Sequence, residues 1–143
     1  MEYKIWIIVF LIVCAITDLK ERKIYSTYCF INFALALVVH ICKKDMHLGA
    51  IVGGIALGGI FLIVSIVSKE ALGMGDALII LTLGSVGGIK TSFELLLWAF
   101  IICAMVSMIG LLLRKRQFDS QIPFAPFLLA GGIVNLIMQE VII

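Results

Sequence analysis

Asp18 and Asp76 are the residues of this chain whose type and setting could do chemistry together. Hydrolysis of a peptide bond by two carboxyl groups needs one ionised, to take a proton from water, and one protonated, to give a proton to the carbonyl oxygen. Two carboxyl groups that share a site cannot both ionise readily, so such a pair holds one proton between them and titrates as a unit. A low-dielectric setting strengthens that coupling. Each acid also has an ordinary explanation when taken alone. Asp76 stands between Gly73-Met74-Gly75 and an apolar run, where it could cap the start of a helix. Asp18 opens the charged segment Asp18-Leu19-Lys20-Glu21-Arg22-Lys23 and could pair with one of its bases. Gly73 and Gly75 let the backbone reach the second acid without side-chain obstruction.

The elements that must carry these acids are membrane-spanning helices. Of the 143 residues, 63% are hydrophobic and 14% charged, with a mean hydropathy of +1.22. A soluble domain is nearer half apolar and a quarter charged, at about 45–50% and about 25%. The bilayer is therefore the expected solvent for most of the surface. A net charge of +2 gives no reason to expect a nucleic-acid partner.

Polar interruptions leave six apolar stretches, Ile5–Thr17, Ile24–Cys42, Leu48–Ser68, Ala77–Ile89, Thr91–Leu113 and Ile122–Ile143. A spanning helix needs about 20 residues, within about 17–25. Four stretches meet that length, and the two short ones each abut an aspartate. If the short helices run on through the acids, both carboxyl groups lie just inside the membrane boundary. The expectation is an all-α polytopic membrane protein of six transmembrane helices, forming one domain over residues 1–143. The first stretch is read as a retained helix, because its basic residues follow it and no small-residue cleavage site appears.

Six crossings put both termini on one side. Lys20, Arg22, Lys23, Lys69, Arg114, Lys115 and Arg116 then share one face, and Lys4, Lys43, Lys44 and Lys90 the other. The positive-inside rule makes the richer face cytoplasmic and leaves both termini outside. Asp18 and Asp76 fall together at that cytoplasmic face.

The remaining polar and small residues have structural readings. Gly49, Gly53, Gly54 and Gly58, with Gly84 and Gly88, show the spacing that lets helix backbones approach. Asn32 and Asn135 suit interhelical hydrogen bonds worth about 1 kcal/mol. His40, His47, Trp6 and Trp98 are expected near the interfaces, and Glu94 and Glu140 are expected to be solvated near the outer boundary. Cys14, Cys29, Cys42 and Cys103 form no CxxC pair, so buried free thiols are expected, with no metal site.

Gly73-Met74-Gly75-Asp76 is a GxGD motif of the kind found in intramembrane aspartyl proteases. With Asp18 through Ile24 after the first helix, and Ile122-Pro123-Phe124-Ala125-Pro126-Phe127 before the last, the chain resembles the type IV prepilin and preflagellin peptidases. Tyr25-Ser26 stands where that family usually has proline-asparagine, and Leu78 where it often has lysine. The resemblance implies a cofactor-free aspartic endopeptidase of the plasma membrane that cuts the basic leader from pilin-like precursors at the cytoplasmic face. It makes Asp18 and Asp76 the catalytic pair, with Gly73 and Gly75 shaping the second aspartate's loop. Nothing resembles the cysteine-bearing segment of the bifunctional members, so no N-methyltransferase activity is expected.

Two other readings compete. A proton-coupled transporter subunit would use the acids as relay groups near the midplane. A non-catalytic pilus or secretion assembly protein would use them as caps and tolerate their loss.

Overall fold

A computed structural model describes residues 2–21, 24–43, 46–68, 73–112 and 124–141. Arg22, Lys23, Lys44, Lys69, Arg114, Lys115, Arg116, Ile122 and Pro123, and the side chains of Lys43 and Glu140, lie outside the described part. The described residues form helices and no strands: α1 (Glu2–Glu21), α2 (Ser26–Lys43), α3 (Leu48–Val67), α4 (Met74–Leu112) and α5 (Ala125–Val141). Of these, α3 and α4 are long and apolar enough to cross a membrane.

The two short apolar stretches do run on through their acids. α1 continues to Glu21, past Asp18, and α4 begins at Met74, ahead of Asp76. The split expected at Lys90 lies instead at Gly88, inside α4, where φ is 70° and ψ is −179°. Residues with a Cβ rarely adopt that φ, so glycine is what permits the break.

Contacts with α3 give the direction of the chain on either side of Gly88. Ahead of the break, Gly54 meets Gly84 and Gly58 meets Leu81, so the two helices run antiparallel. Beyond it, Leu57 lies with Phe93, and Phe61 stacks on Phe100 at 6.3 Å, so they run parallel. The chain therefore reverses at Gly88, and α4 is two opposed helical segments. The approach of α3 to the first segment is close enough that a Cβ at Gly54 or Gly84 would fall on the opposite backbone. Bare backbone in contact, with no side chain between, is how small residues bring apolar helices together.

α1 shows how the bundle divides inside from outside. Ile5, Val9, Ile12, Ile16 and Leu19 form one exposed stripe, while Ile7, Phe10, Leu11, Cys14 and Ala15 are buried. Spacings of three and four residues place each set on one helix face. An exposed face this apolar needs a hydrocarbon surround, consistent with membrane association. The inward face carries on to Asp18, only 8% exposed, so the first acid is the polar end of a core-facing stripe.

Interhelical bonds among the described residues fix the bundle away from the acids. Trp6 Nε1 donates to Asn32 Oδ1 at 3.2 Å, and Thr82 Oγ1 to the Cys29 carbonyl at 3.2 Å. His40 Nε2 lies 2.9 Å from the Ser85 carbonyl. Asn135 Nδ2 donates to Glu94 Oε2 at 2.9 Å. Trp6 and His40 are thus engaged within the bundle.

Candidate active site

Asp18 and Asp76 lie at the same end of the bundle, on α1 and in the first turn of α4, near enough for the charge of one to bear on the other. Two residues remote in sequence arrive there because α1 ends where the first segment of α4 begins. Near the other end of that pair of helices, Ile7 of α1 packs at Gly87 of α4.

Asp18 is held from a third helix. Its Oδ2 accepts the backbone N–H of Ala125 at 3.2 Å. Ala125 is the first residue of α5 and is fully buried. The first four N–H groups of a helix have no partner inside it. Here Pro126 lacks one, Phe127 donates to the Phe124 carbonyl at 2.9 Å, and Ala125 donates to Asp18. The Phe124-Ala125-Pro126-Phe127 segment is thereby wired to the first acid, a link that sequence reading missed. Its signal was the placement of an alanine with a free N–H directly before a proline at a helix start.

Asp76 lies in the first turn of α4, not at its cap position. The Gly73 carbonyl accepts the Ala77 N–H at 3.2 Å, closing the first turn around the acid. Asp76 Oδ1 is buried and has no hydrogen-bond partner among the described residues. That result departs from a capping role, in which the carboxylate would accept a backbone N–H. Both motif glycines have a steric reason. A Cβ at Gly73 would lie 3.0 Å from Asp76 Oδ2, and one at Gly75 would lie 2.7 Å from Cβ and 2.8 Å from Cδ1 of Ile24. Ile24 follows the charged segment after α1, so Gly75 lets that segment pack directly against the loop of the second acid.

The start of α2 beside this site is built by the residues that depart from the family pattern. The Tyr25 carbonyl accepts the N–H groups of Tyr28 and Cys29 at 3.0 and 3.3 Å, which begins the helix. Its hydroxyl donates to Glu21, and that bond raises the phenol above its ordinary range.

Among the described residues no group of three or more His, Cys, Asp or Glu is arranged to hold a metal ion. Cys14 and Cys29 are buried free thiols, Cys42 is exposed and Cys103 half-buried. A cavity of about 330 Å³ opens between α3 and the second segment of α4, lined by Leu57, Phe61, Phe93, Leu96, Leu97, Phe100 and Ile101. Its lining is hydrocarbon and supplies no reactive group. The chemistry available is that of the two acids.

Comparison with known proteins gives the family. The type IV leader peptidase family model matches residues 5–108, which include both acids and the GxGD motif. The chain belongs to the type IV leader peptidase family. Its relatives include prepilin leader peptidase/N-methyltransferases. Those of Stutzerimonas stutzeri and Pseudomonas aeruginosa are each 30% identical, over 98 and 97 residues. These alignments cover 68% and 67% of this chain, and 34% and 33% of the relatives. The enzyme of Xanthomonas campestris pv. campestris is 28% identical over 129 residues, which is 86% of this chain and 45% of the relative. This family member thus spans between a third and a half of the length of those relatives. No solved structure matches it.

Proposed function

We propose that this peptidase-family chain is an intramembrane aspartyl endopeptidase that removes the basic leader from pilin-like precursors, with Asp18 and Asp76 as its catalytic pair. The observation that carries the reading is the placement of the two acids at the same end of an apolar bundle, with Asp18 and Asp76 Oδ1 buried. Family membership supports the precursor as substrate, and the relatives' names supply leader cleavage as the reaction.

The reaction follows from the pair. The ionised carboxyl takes a proton from water, and the oxygen attacks the carbonyl carbon of the scissile bond. The protonated carboxyl gives its proton to the carbonyl oxygen, forming a gem-diol. Proton transfer from the first acid to the amide nitrogen then breaks the C–N bond, and the second acid recovers a proton as the new carboxyl group forms. Neither step calls for a cofactor. The acids perform hydrolysis alone, so the expected product carries an unmethylated N-terminus.

In this reading the protein is a multi-pass resident of the plasma membrane with six crossings, the two segments of α4 counting separately. The alternating directions of the helical segments support that count. Asp18 and Asp76 face the cytoplasm and both termini lie outside, in keeping with the distribution of lysine and arginine. Gly73 and Gly75 shape the loop of the second acid. The acids' place at one end of the bundle favours a protease over a proton relay, which would set them near the midplane.

The test is incubation of the purified protein in detergent with a pilin-like precursor, followed by intact mass of the product. Loss of the leader mass alone is expected. A precursor left whole by well-folded protein would move the reading to a non-catalytic assembly protein. Cysteine labelling of the segment between α2 and α3 from outside intact cells tests the orientation, and labelling only after permeabilisation would reverse it.

A further inference from the structure

The geometry assigns different roles to the two acids: Asp18 enters the reaction as the carboxylate that takes the proton from water, and Asp76 as the acid that donates to the carbonyl oxygen. This assignment rests on the protease reading above and adds to it the location of the shared proton.

The two acids share several features that do not separate them. Both sit at one end of the bundle, and both lie beside a helix N-terminus, Asp76 in the first turn of α4 and Asp18 against the first residue of α5. The positive end of a helix dipole favours a carboxylate at either place. Hydrogen bonding is what differs. Asp18 Oδ2 accepts an N–H that has no partner in its own helix. A donor aimed at a carboxylate stabilises the charged form, and such a bond is stronger than one between neutral groups. Asp76 lies inside its own helical turn, where the nearest following N–H, that of Ala77, is already committed to Gly73. Its buried Oδ1 receives no donor from the described residues. A buried oxygen without a donor is a poor place for a negative charge, and a protonated carboxyl removes that charge. Like charges in direct range cannot both persist. The N–H of Ala125 makes Asp18 the better place for the charge, and a buried Oδ1 with no donor among the described residues makes Asp76 the better place for the proton.

The atoms balance. Water loses a proton to Asp18 as its oxygen bonds to the carbonyl carbon, and Asp76 loses its proton to the carbonyl oxygen. Ala125 is a positioning residue here, acting through its backbone N–H.

A hydrophobic carbodiimide distinguishes the two, because it forms an adduct with a protonated carboxyl group in an apolar setting and leaves a carboxylate alone. The purified full chain, in detergent at neutral pH, is treated with dicyclohexylcarbodiimide, digested and mapped by mass. The adduct is expected on Asp76, is lost in Asp76→Asn without appearing on Asp18, and is retained in Asp18→Asn. Replacing Ala125 with proline, tolerated in the first turn of a helix, deletes the donor and is expected to spread the adduct onto Asp18. An adduct on Asp18 in the wild type, equal labelling of both acids, or labelling of neither would overturn the assignment. The wild-type map decides it even if a variant does not fold. Precursor cleavage is measured on the same sample. Label on Asp18 in a protein that cuts precursor removes this assignment and leaves the protease reading intact. Label on Asp76 in a protein that cuts no precursor removes the protease reading, and the roles with it, and leaves only the location of the proton.

Discussion

The bundle holds two carboxyl-bearing polar sites, and they are built on opposite principles. At the end away from the acids, Glu94 Oε2 accepts Asn135 Nδ2 at 2.9 Å and Gln139 Nε2 at 3.1 Å, and Gln139 also reaches Asn135 Oδ1 at 3.1 Å. That site is closed upon itself. At the other end, Asp18 receives one N–H and Asp76 Oδ1 receives nothing from the described residues. A satisfied polar cluster joins helices and resists change. An under-satisfied pair of acids keeps oxygen lone pairs and a proton available for a substrate. Glu94, expected to be solvated, proves to be a clamp between α4 and α5. The acids, each of which had an ordinary explanation alone, lie at the same end of the bundle and lack that closure.

The largest effect that would break this contrast lies at the acids themselves. Asp18→Asn and Asp76→Asn are each expected to lower cleavage of a pilin-like precursor by about 10²–10⁴-fold, the usual contribution of a positioned acid or base. Glu94→Gln is expected to leave the rate within a few-fold of wild type. A Glu94 variant as inactive as the aspartate variants would erase the distinction between the two ends. Next in size is Gly75→Ala, which drives a Cβ against Ile24. Displacement of the loop that carries Asp76 is expected to reduce kcat/KM by up to about 10²-fold, the cost of misplacing a reacting group by about 1 Å. Ile24→Ala in the same chain is expected to restore part of that loss, and a double variant no better than the single one would place the fault elsewhere.

Stability changes are smaller. Gly54→Ala forces α3 off the backbone of α4 and is expected to cost about 1–3 kcal/mol, the range for overpacking a filled interface. Thermal unfolding in detergent measures it. The smallest effect belongs to the clamp. Asn135→Leu removes one donor from Glu94 and is expected to lower stability by about 1 kcal/mol, as for other hydrogen bonds between membrane helices. Full cleavage activity in detergent should persist in that variant. A loss of activity without a loss of stability would mean that the far end takes part in the chemistry.

Much of this was legible in the residues. The acids stood out because the two apolar stretches too short to span were those beside an aspartate, and the helices do continue through both. The helix-packing glycines were recognisable by spacing, yet only some are in contact. Gly54 and Gly58 meet α4 directly, Gly53 meets Ile89, and a Cβ at Gly49 would face nothing within 4 Å. Spacing defines a face but not which part of it a partner covers. The break at Gly88 was expected at Lys90, since charge marks a polarity boundary while the turn itself depends on which residue tolerates positive φ. The bond from Ala125 to Asp18 had only a faint signal, because an alanine before a proline at a helix start marks a free N–H but not its partner, which lies on α1. Similarly, the partners of Glu94 depend on α5 returning alongside α4.

The central claim is that Asp18 and Asp76 act as one catalytic unit. It is tested most directly by measuring precursor cleavage for Asp18→Asn, Asp76→Asn and the double variant under single-turnover conditions, with folding checked by thermal unfolding. Residues that act as a unit are grossly non-additive. The expected result is that the double variant is no slower than either single one, all three sharing the same residual rate. A double variant slowed by the product of two separate losses, or cleavage that survives in either folded single variant, would contradict the pair.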